Sequence, residues 1–169
     1  MNLMHYIEQG GVIMYILLAL NIIGFTIMIY KFLQLWLAKR DKEKLADGVL
    51  DAISTHKDSV QLTLVKDHIS KKMLQLEKGL STIKTIASIA PLLGLLGTVI
   101  GVLSAFEAIS KLGLGDPSIF AGGISLALIT TVGGLIVAIP HYIGYNYLIG
   151  ILDHLEADIS SIAHQKIFG

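Results

Sequence analysis

Thr98 and Thr131 are the residues of this chain whose type and spacing best suit chemistry inside a membrane. Each falls mid-way along an apolar stretch, in a row of small residues at helical spacing. The first row is Pro91, Gly94, Thr98, Gly101 and Ala105, at i, i+3, i+7, i+10 and i+14. The second is Gly123, Ala127, Thr131, Gly134 and Ala138. A membrane threonine is ordinarily a helix residue bonded back to its own carbonyls. Two of them, each central in a small-residue stripe, suggest more. The stripes either line a shared interior or receive a partner helix. Thr130 and Thr131 are adjacent, so they face different ways; one can meet a lumen while the other back-bonds.

Other polar groups are fewer. His141 reads as a proton relay or, the stronger expectation, as a headgroup-level residue beside Tyr142, Tyr145 and Tyr147 in an aromatic belt. Glu107 reads as a solvated carboxylate next to a polar loop. His5, His56, His68, His154 and His164 lack metal-ligand spacing, and there is no cysteine. Neither a metal nor a cofactor is expected. Gly94, Gly97 and Gly101 are not a phosphate loop, because no Lys-Ser/Thr follows them and no strand precedes them. Gly97 and Gly101 form a GxxxG pair, which permits close approach of two helix backbones. No nucleophile–base pair is present, so an enzyme is not expected. Pro91 and Pro140 each free a backbone carbonyl and can kink a helix, as a static bend or a flexible joint.

The elements that carry these residues follow from composition. The chain has 169 residues, 53% of them hydrophobic and 15% charged, with net charge zero and a mean hydropathy of +0.69. A soluble domain carries about a quarter charged residues. The expectation is an all-α integral membrane protein with three transmembrane helices, the second and third extended into a cytoplasmic helical bundle. Net charge gives no case for nucleic acid, and the solvent is the lipid bilayer. The spans are residues 12–30, 85–106 and 118–140, with 31–84 and 141–169 cytoplasmic, as a single domain over 1–169. The opening lacks a basic n-region and a cleavage site, so the first span is expected to be kept as an anchor. The amide of Asn21 in it suits a helix that packs against neighbours.

Orientation comes from charge. Eleven of the 13 Lys and Arg lie between Lys31 and Lys84, and residues 1–11 hold none. The positive-inside rule places that segment in the cytoplasm, the N-terminus outside and the C-terminus inside. Within it, Leu62, Val65, Ile69, Met73, Leu76, Leu80 and Ile83 step by three or four, a coiled-coil-like stripe leading straight into the second span. Leu148, Leu152, Leu155, Ile159 and Ile162 carry the third helix onward, and an amphipathic piece covers residues 45–53. The stripes serve subunit contact, packing within one subunit, or both. The opening NLMHYIEQGG reads as a short in-plane helix ended by Gly10 and Gly11.

None of the three membrane cores holds an Asp, Glu, Lys or Arg. A protein that moves protons needs an ionisable group in the membrane. If this chain serves proton movement, the carboxylate comes from another chain.

SIAPLLGLLGTVIGVLSAF at 88–106 and GGISLALITTVGGLIVAIPHYIGYN at 122–146 closely resemble the paired signatures of the ExbB/TolQ proton-channel family, with the flagellar stator subunit MotA a more distant relative. The resemblance implies a homo-oligomer, a pentamer, in the bacterial inner membrane, N-terminus periplasmic. It implies that spans two and three line a pore around single-span partners of the ExbD/TolR type, whose membrane Asp carries the proton. It also implies that the work passes to a TonB-like or TolA-like protein, for import of iron chelates or cobalamin in the ExbB case. Two pore threonines of the family match Thr98 and Thr131, with hydroxyls for the partner's Asp or a water serving it. Gly94, Gly97, Gly101 and Gly134 are read as helix packing, and Pro91 and Pro140 as kinks. Where many ExbB members carry a Glu five residues before the second threonine, this chain has Leu126. The alternatives are a TolQ-type subunit of an envelope-integrity system and a non-conducting membrane scaffold.

Overall fold

The computed structural model describes residues 3–51, 61–113 and 117–168. Every element among them is a helix: α1 (Leu3–Gln9), α2 (Gly11–Arg40), α3 (Lys42–Asp51), α4 (Gln61–Glu77), α5 (Leu80–Leu112) and α6 (Ser118–Phe168). Three of them, α2, α5 and α6, are long and apolar enough to cross a membrane. The protein is therefore an all-α membrane protein. These helices have 30, 33 and 51 residues. At about 1.5 Å per residue, each exceeds the roughly 30 Å of hydrocarbon that it must cross. Extension was expected of the second and third spans; α2 also runs on as helix from Lys31 to Arg40.

Two glycines set the ends of α5. Gly113 closes it with a φ of 80°, and its N–H donates to the Ile109 carbonyl at 2.8 Å. Such a left-handed residue after the last turn is the usual helix stop. Gly79, with a φ of 93°, separates α4 from α5. The apolar stripe was expected to run straight into the second span. The chain instead leaves helical geometry at Lys78–Gly79, while the buried row continues through Met73, Leu76, Leu80 and Ile83. The three-and-four spacing survives the break, which is why the spacing did not reveal it. Pro91 and Pro140 both lie inside continuous helices. The opening helix expected over residues 2–11 is α1, and Gly10 N–H caps it on the Tyr6 carbonyl at 3.0 Å.

Contacts divide the chain into two compact units, Met1–Thr26 with Thr82–Ile143, and Ile27–Ser81 with Gly144–Gly169. In the first, Leu17 of α2 packs with Ile86 and Ala90 of α5 and Val137 and Ala138 of α6. In the second, Val65, Ile69, Met73 and Leu76 of α4 are buried, as are Leu148, Leu152, Leu155 and Ile159 of α6. That second row was expected to end at Ile162. It ends at Ala163, which is wholly buried, and Ile162 is only half-buried. Of the amphipathic piece expected at 45–53, Ala46 and Val49 of α3 are buried; Ile53, like the Leu62 side chain and His56, lies outside the described residues.

Lys31 is 5% exposed, and its ammonium donates to Gln34 Oε1 at 2.7 Å and to the Leu76 carbonyl at 3.1 Å. The last carbonyls of a helix have no partner within it, and this lysine supplies one to α4. Two ion pairs join α3 to α6: Lys42 with Asp158 at 2.8 Å, and Lys166 with Asp47. The hydrogen bond from Lys42, and then its charge, hold the Asp158 carboxyl below its ordinary value. The hydrogen bond to Asp47 holds the Lys166 ammonium above its own. A depressed carboxyl contributes above its unfolded value, about 4, and the contribution disappears as pH falls through the folded value. A raised ammonium contributes below its unfolded value, about 10.4, and loses that as pH rises through the folded one. Thermal unfolding followed by circular dichroism is therefore expected to be flat from about pH 5 to 9 and to weaken at both edges. Asp158→Asn should shrink the acid-side loss and leave the alkaline one; an unchanged acid edge would assign it to other carboxylates.

Candidate functional site

The site is built where α5 and α6 meet. Of the readings the spacing left open, the structure shows a further arrangement: the two rows of small residues pack on one another. A Cβ on Gly94 would lie 2.8 Å from the Thr130 carbonyl oxygen, and one on Gly134 would lie 2.6 Å from that of Ala90. On Gly101 it would lie 2.8 Å from the Ala127 nitrogen, and on Gly123 it would lie 2.8 Å from that of Ala105. Real Cβ atoms essentially never come closer than 3.0 Å. These four glycines hold the two backbones at a separation that no side chain allows. Gly97 differs, because the group above it is the side chain of Thr130.

This seam brings the two sequence-predicted threonines together. Thr98 Oγ1 and Thr131 Oγ1 are 2.5 Å apart. Thr131 Oγ1 is 3.1 Å from the Ala127 carbonyl oxygen, and Thr98 Oγ1 is 3.2 Å from the same atom and 3.3 Å from that of Gly94. A hydroxyl has one proton to donate and two lone pairs. If Thr98 donates to Thr131, Thr131 donates to Ala127; if the pair reverses, Thr98 takes a carbonyl. Both arrangements are satisfied and use both protons, so the pair presents lone pairs to a third group and donates to one only by releasing a carbonyl. Both residues are half-buried, which leaves them approachable. Thr130 is wholly buried and donates back to Leu126 at 2.9 Å and Ala127 at 3.1 Å. Of the adjacent pair, it is the one committed to its own helix.

His141 is wholly buried within the protein. Tyr142 and Tyr147 beside it are exposed and Tyr145 is half-buried. His141 Nδ1 donates to the Val137 carbonyl at 2.7 Å, and its ring meets Phe25 edge-on, centroids 4.9 Å apart. Nε2 has no hydrogen-bond partner among the described residues, and neither has Asn21 Oδ1. The physical reason is Gly24: its missing side chain is the space that the imidazole fills. Nothing in the local sequence marked Gly24 as the complement of His141. Gly24→Ala is expected to destabilise by about 1–3 kcal/mol through overpacking. His141→Ala should relieve it in the double variant. A thermal melt checks both, and additive losses would sink the pairing. Glu107 is exposed, and Leu126 is half-buried on α6.

Comparison with known proteins adds the following. Residues 31–161 match the family described as the MotA/TolQ/ExbB proton channel family. Over 93 residues the chain is 45% identical to "Biopolymer transport protein ExbB" of Aquifex aeolicus, covering 54% of this chain and 63% of that protein. An alignment of 176 positions to "Putative biopolymer transport protein ExbB homolog" of Methanothermobacter thermautotrophicus is 32% identical and covers 86% of this chain and 62% of that one. The ExbB protein of Neisseria gonorrhoeae is 33% identical over 100 residues, covering 59% of this chain and 46% of its own length. The chain thus spans about three fifths or less of the relatives it matches.

Proposed function

We propose, from the premise that this chain belongs to the MotA/TolQ/ExbB proton channel family, that it is the ring subunit of a channel coupling proton movement to mechanical work. It is a multi-pass membrane protein. In this reading α5 and α6 line a pore formed by several copies, five by the family pattern. A single-span partner of the ExbD/TolR type inserts there and brings the acid that the ring lacks. Thr98 and Thr131 serve that carboxylate, taking or giving a hydrogen bond as it gains and loses its proton.

The observation that carries the reading is the hydroxyl pair at 2.5 Å, half-buried in spans that contain no ionisable group. A transferred proton needs a polar relay that does not trap it. Two hydroxyls that reverse their hydrogen bond without loss satisfy that need. Supporting this, α5 and α6 each keep an exposed apolar face, with Leu92, Val99 and Phe106 on one and Leu128, Val132 and Ile139 on the other. Lipid or neighbouring copies would cover those faces in a ring. The work would pass to a TonB-like protein for import across an outer membrane. The ExbB names of the relatives favour that over a TolA-linked role. The Lys31–Lys84 charge excess supports a reading with the N-terminus outside the inner membrane and the C-terminus in the cytoplasm, residues 1–169 serving as one functional domain.

The test is proton flux into liposomes holding this chain alone, with a single-span partner, and with that partner's membrane Asp changed to Asn. Flux that needs both chains and the Asp is expected. Flux from this chain alone would place the relay inside it. No flux with the intact pair would turn the reading toward a scaffold.

A further inference from the structure

We propose that the groove between α3 and α4 is a binding site for a phosphate-bearing anion. The groove encloses about 410 Å³, within the range of small-molecule sites. Its donors come from both walls: Lys44 on α3, and His68, Lys71, Lys72 and Gln75 on α4. On α4 these four stand at i, i+3, i+4 and i+7, one continuous face of the helix. No carboxylate is among the lining residues. The nearby acids are engaged elsewhere: Asp47 pairs with Lys166, and Asp41 pairs with Lys44 at 3.6 Å, whereas no ion pair involves Lys71 or Lys72 among the described residues. Lys71 and Lys72 thus line, with the outer Lys44, a concavity whose lining holds no carboxylate. Like charges so placed repel one another, and an anion bridging them removes that cost.

Gly48 makes the concavity. It sits mid-way along α3, where glycine is a poorer helix former than alanine. The space its side chain would take is open, with no atom within 4 Å. His68 adds a chemical preference. Its Nδ1 lies 2.9 Å from the Leu64 carbonyl, which can only accept, so that nitrogen carries the hydrogen. Nε2 is left either to accept the proton of a monoprotonated phosphate or, protonated, to donate to a dianion. Leu45 and Val49 complete the lining with apolar surface. The ligand is therefore an organic phosphate: charge on the lysines, carbon on α3. Free nucleotides and phospholipid headgroups share that chemistry.

The experiment uses the full chain in nanodiscs of zwitterionic lipid, titrated calorimetrically with ADP and with inorganic pyrophosphate. A parallel set of discs contains phosphatidylglycerol, and protection of Lys71 and Lys72 from acetylation reports occupancy. One saturable site is expected, weakened at least tenfold by Lys71→Gln with Lys72→Gln and by Gly48→Glu. Gly48→Glu places a carboxylate where the anion sits. Lys66→Gln, at an exposed α4 position outside the groove, should bind as the parent does. Circular dichroism confirms that the helices persist. Protection only in phosphatidylglycerol discs, lost in the same variants, would identify a headgroup as the ligand. Binding that survives Gly48→Glu, binding that falls equally in Lys66→Gln, or no binding or protection in any arm would overturn the proposal.

Discussion

Replacing either Thr98 or Thr131 by valine is expected to leave the oligomer assembled and to cut partner-dependent proton flux about 10- to 100-fold. A hydrogen bond to a charged group contributes about 1.5–3 kcal/mol, and that energy divided by 1.4 kcal/mol per decade gives the range. Valine has nearly the shape of threonine. The Ala127 and Gly94 carbonyls that the two hydroxyls touch retain their helical N–H partners, so packing survives the change. Serine at either position should restore most of the flux. Thr130→Val provides the contrast. That hydroxyl is wholly buried and spent on Leu126 and Ala127, so its loss should move stability more than flux. Loss of oligomers in the Thr98 or Thr131 variants, seen by native mass spectrometry, would make these residues packing elements instead.

The second large effect concerns the seam. Gly101→Ala is expected to weaken the α5–α6 contact by about 1–3 kcal/mol, and Gly97→Leu to disrupt it. The obstacle differs at the two positions. At Gly101 the new Cβ meets the Gly123 carbonyl and the Ala127 nitrogen, which are backbone and cannot be trimmed away. At Gly97 it meets only the Thr130 side chain. Thr130→Gly, which also removes the Cβ that would lie 2.4 Å from a Cβ at position 97, should therefore rescue Gly97→Ala in a double-mutant cycle where Thr130→Ala does not, and no side-chain truncation should rescue Gly101→Ala. Melting curves in detergent, read with oligomer mass, decide it. Normal oligomers and an unshifted melt from Gly97→Leu would remove the close-packed seam from the account.

How far the sequence reached can be read from single residues. The spans were legible because uncharged runs of that length have few other uses. The Thr98 and Thr131 stripes were legible because helical spacing places small residues on one face. That the stripes face each other was not, because spacing within a helix says nothing of its height relative to another. Gly79 escaped notice for a related reason: the apolar row keeps its three-and-four rhythm across a residue with φ of 93°. The burial of His141 was not legible because its surroundings come from Gly24 and Phe25 of α2, far away in sequence. The α3–α4 groove shows the same limit, since its two walls are joined by residues 52–60 and neither is a site alone.

The fit of His141 over Gly24 also restricts the route by which this sequence can change. The two positions form a lock in which the small residue must be in place first. A lineage with alanine at position 24 would meet a clash on acquiring histidine at 141. A lineage with glycine there would meet an empty space. Histidine at 141 should thus occur in relatives only beside glycine at 24, whereas glycine at 24 can stand beside many residues at 141. The dependence runs in one direction: the imidazole needs the space at Gly24, and glycine there does not need the imidazole.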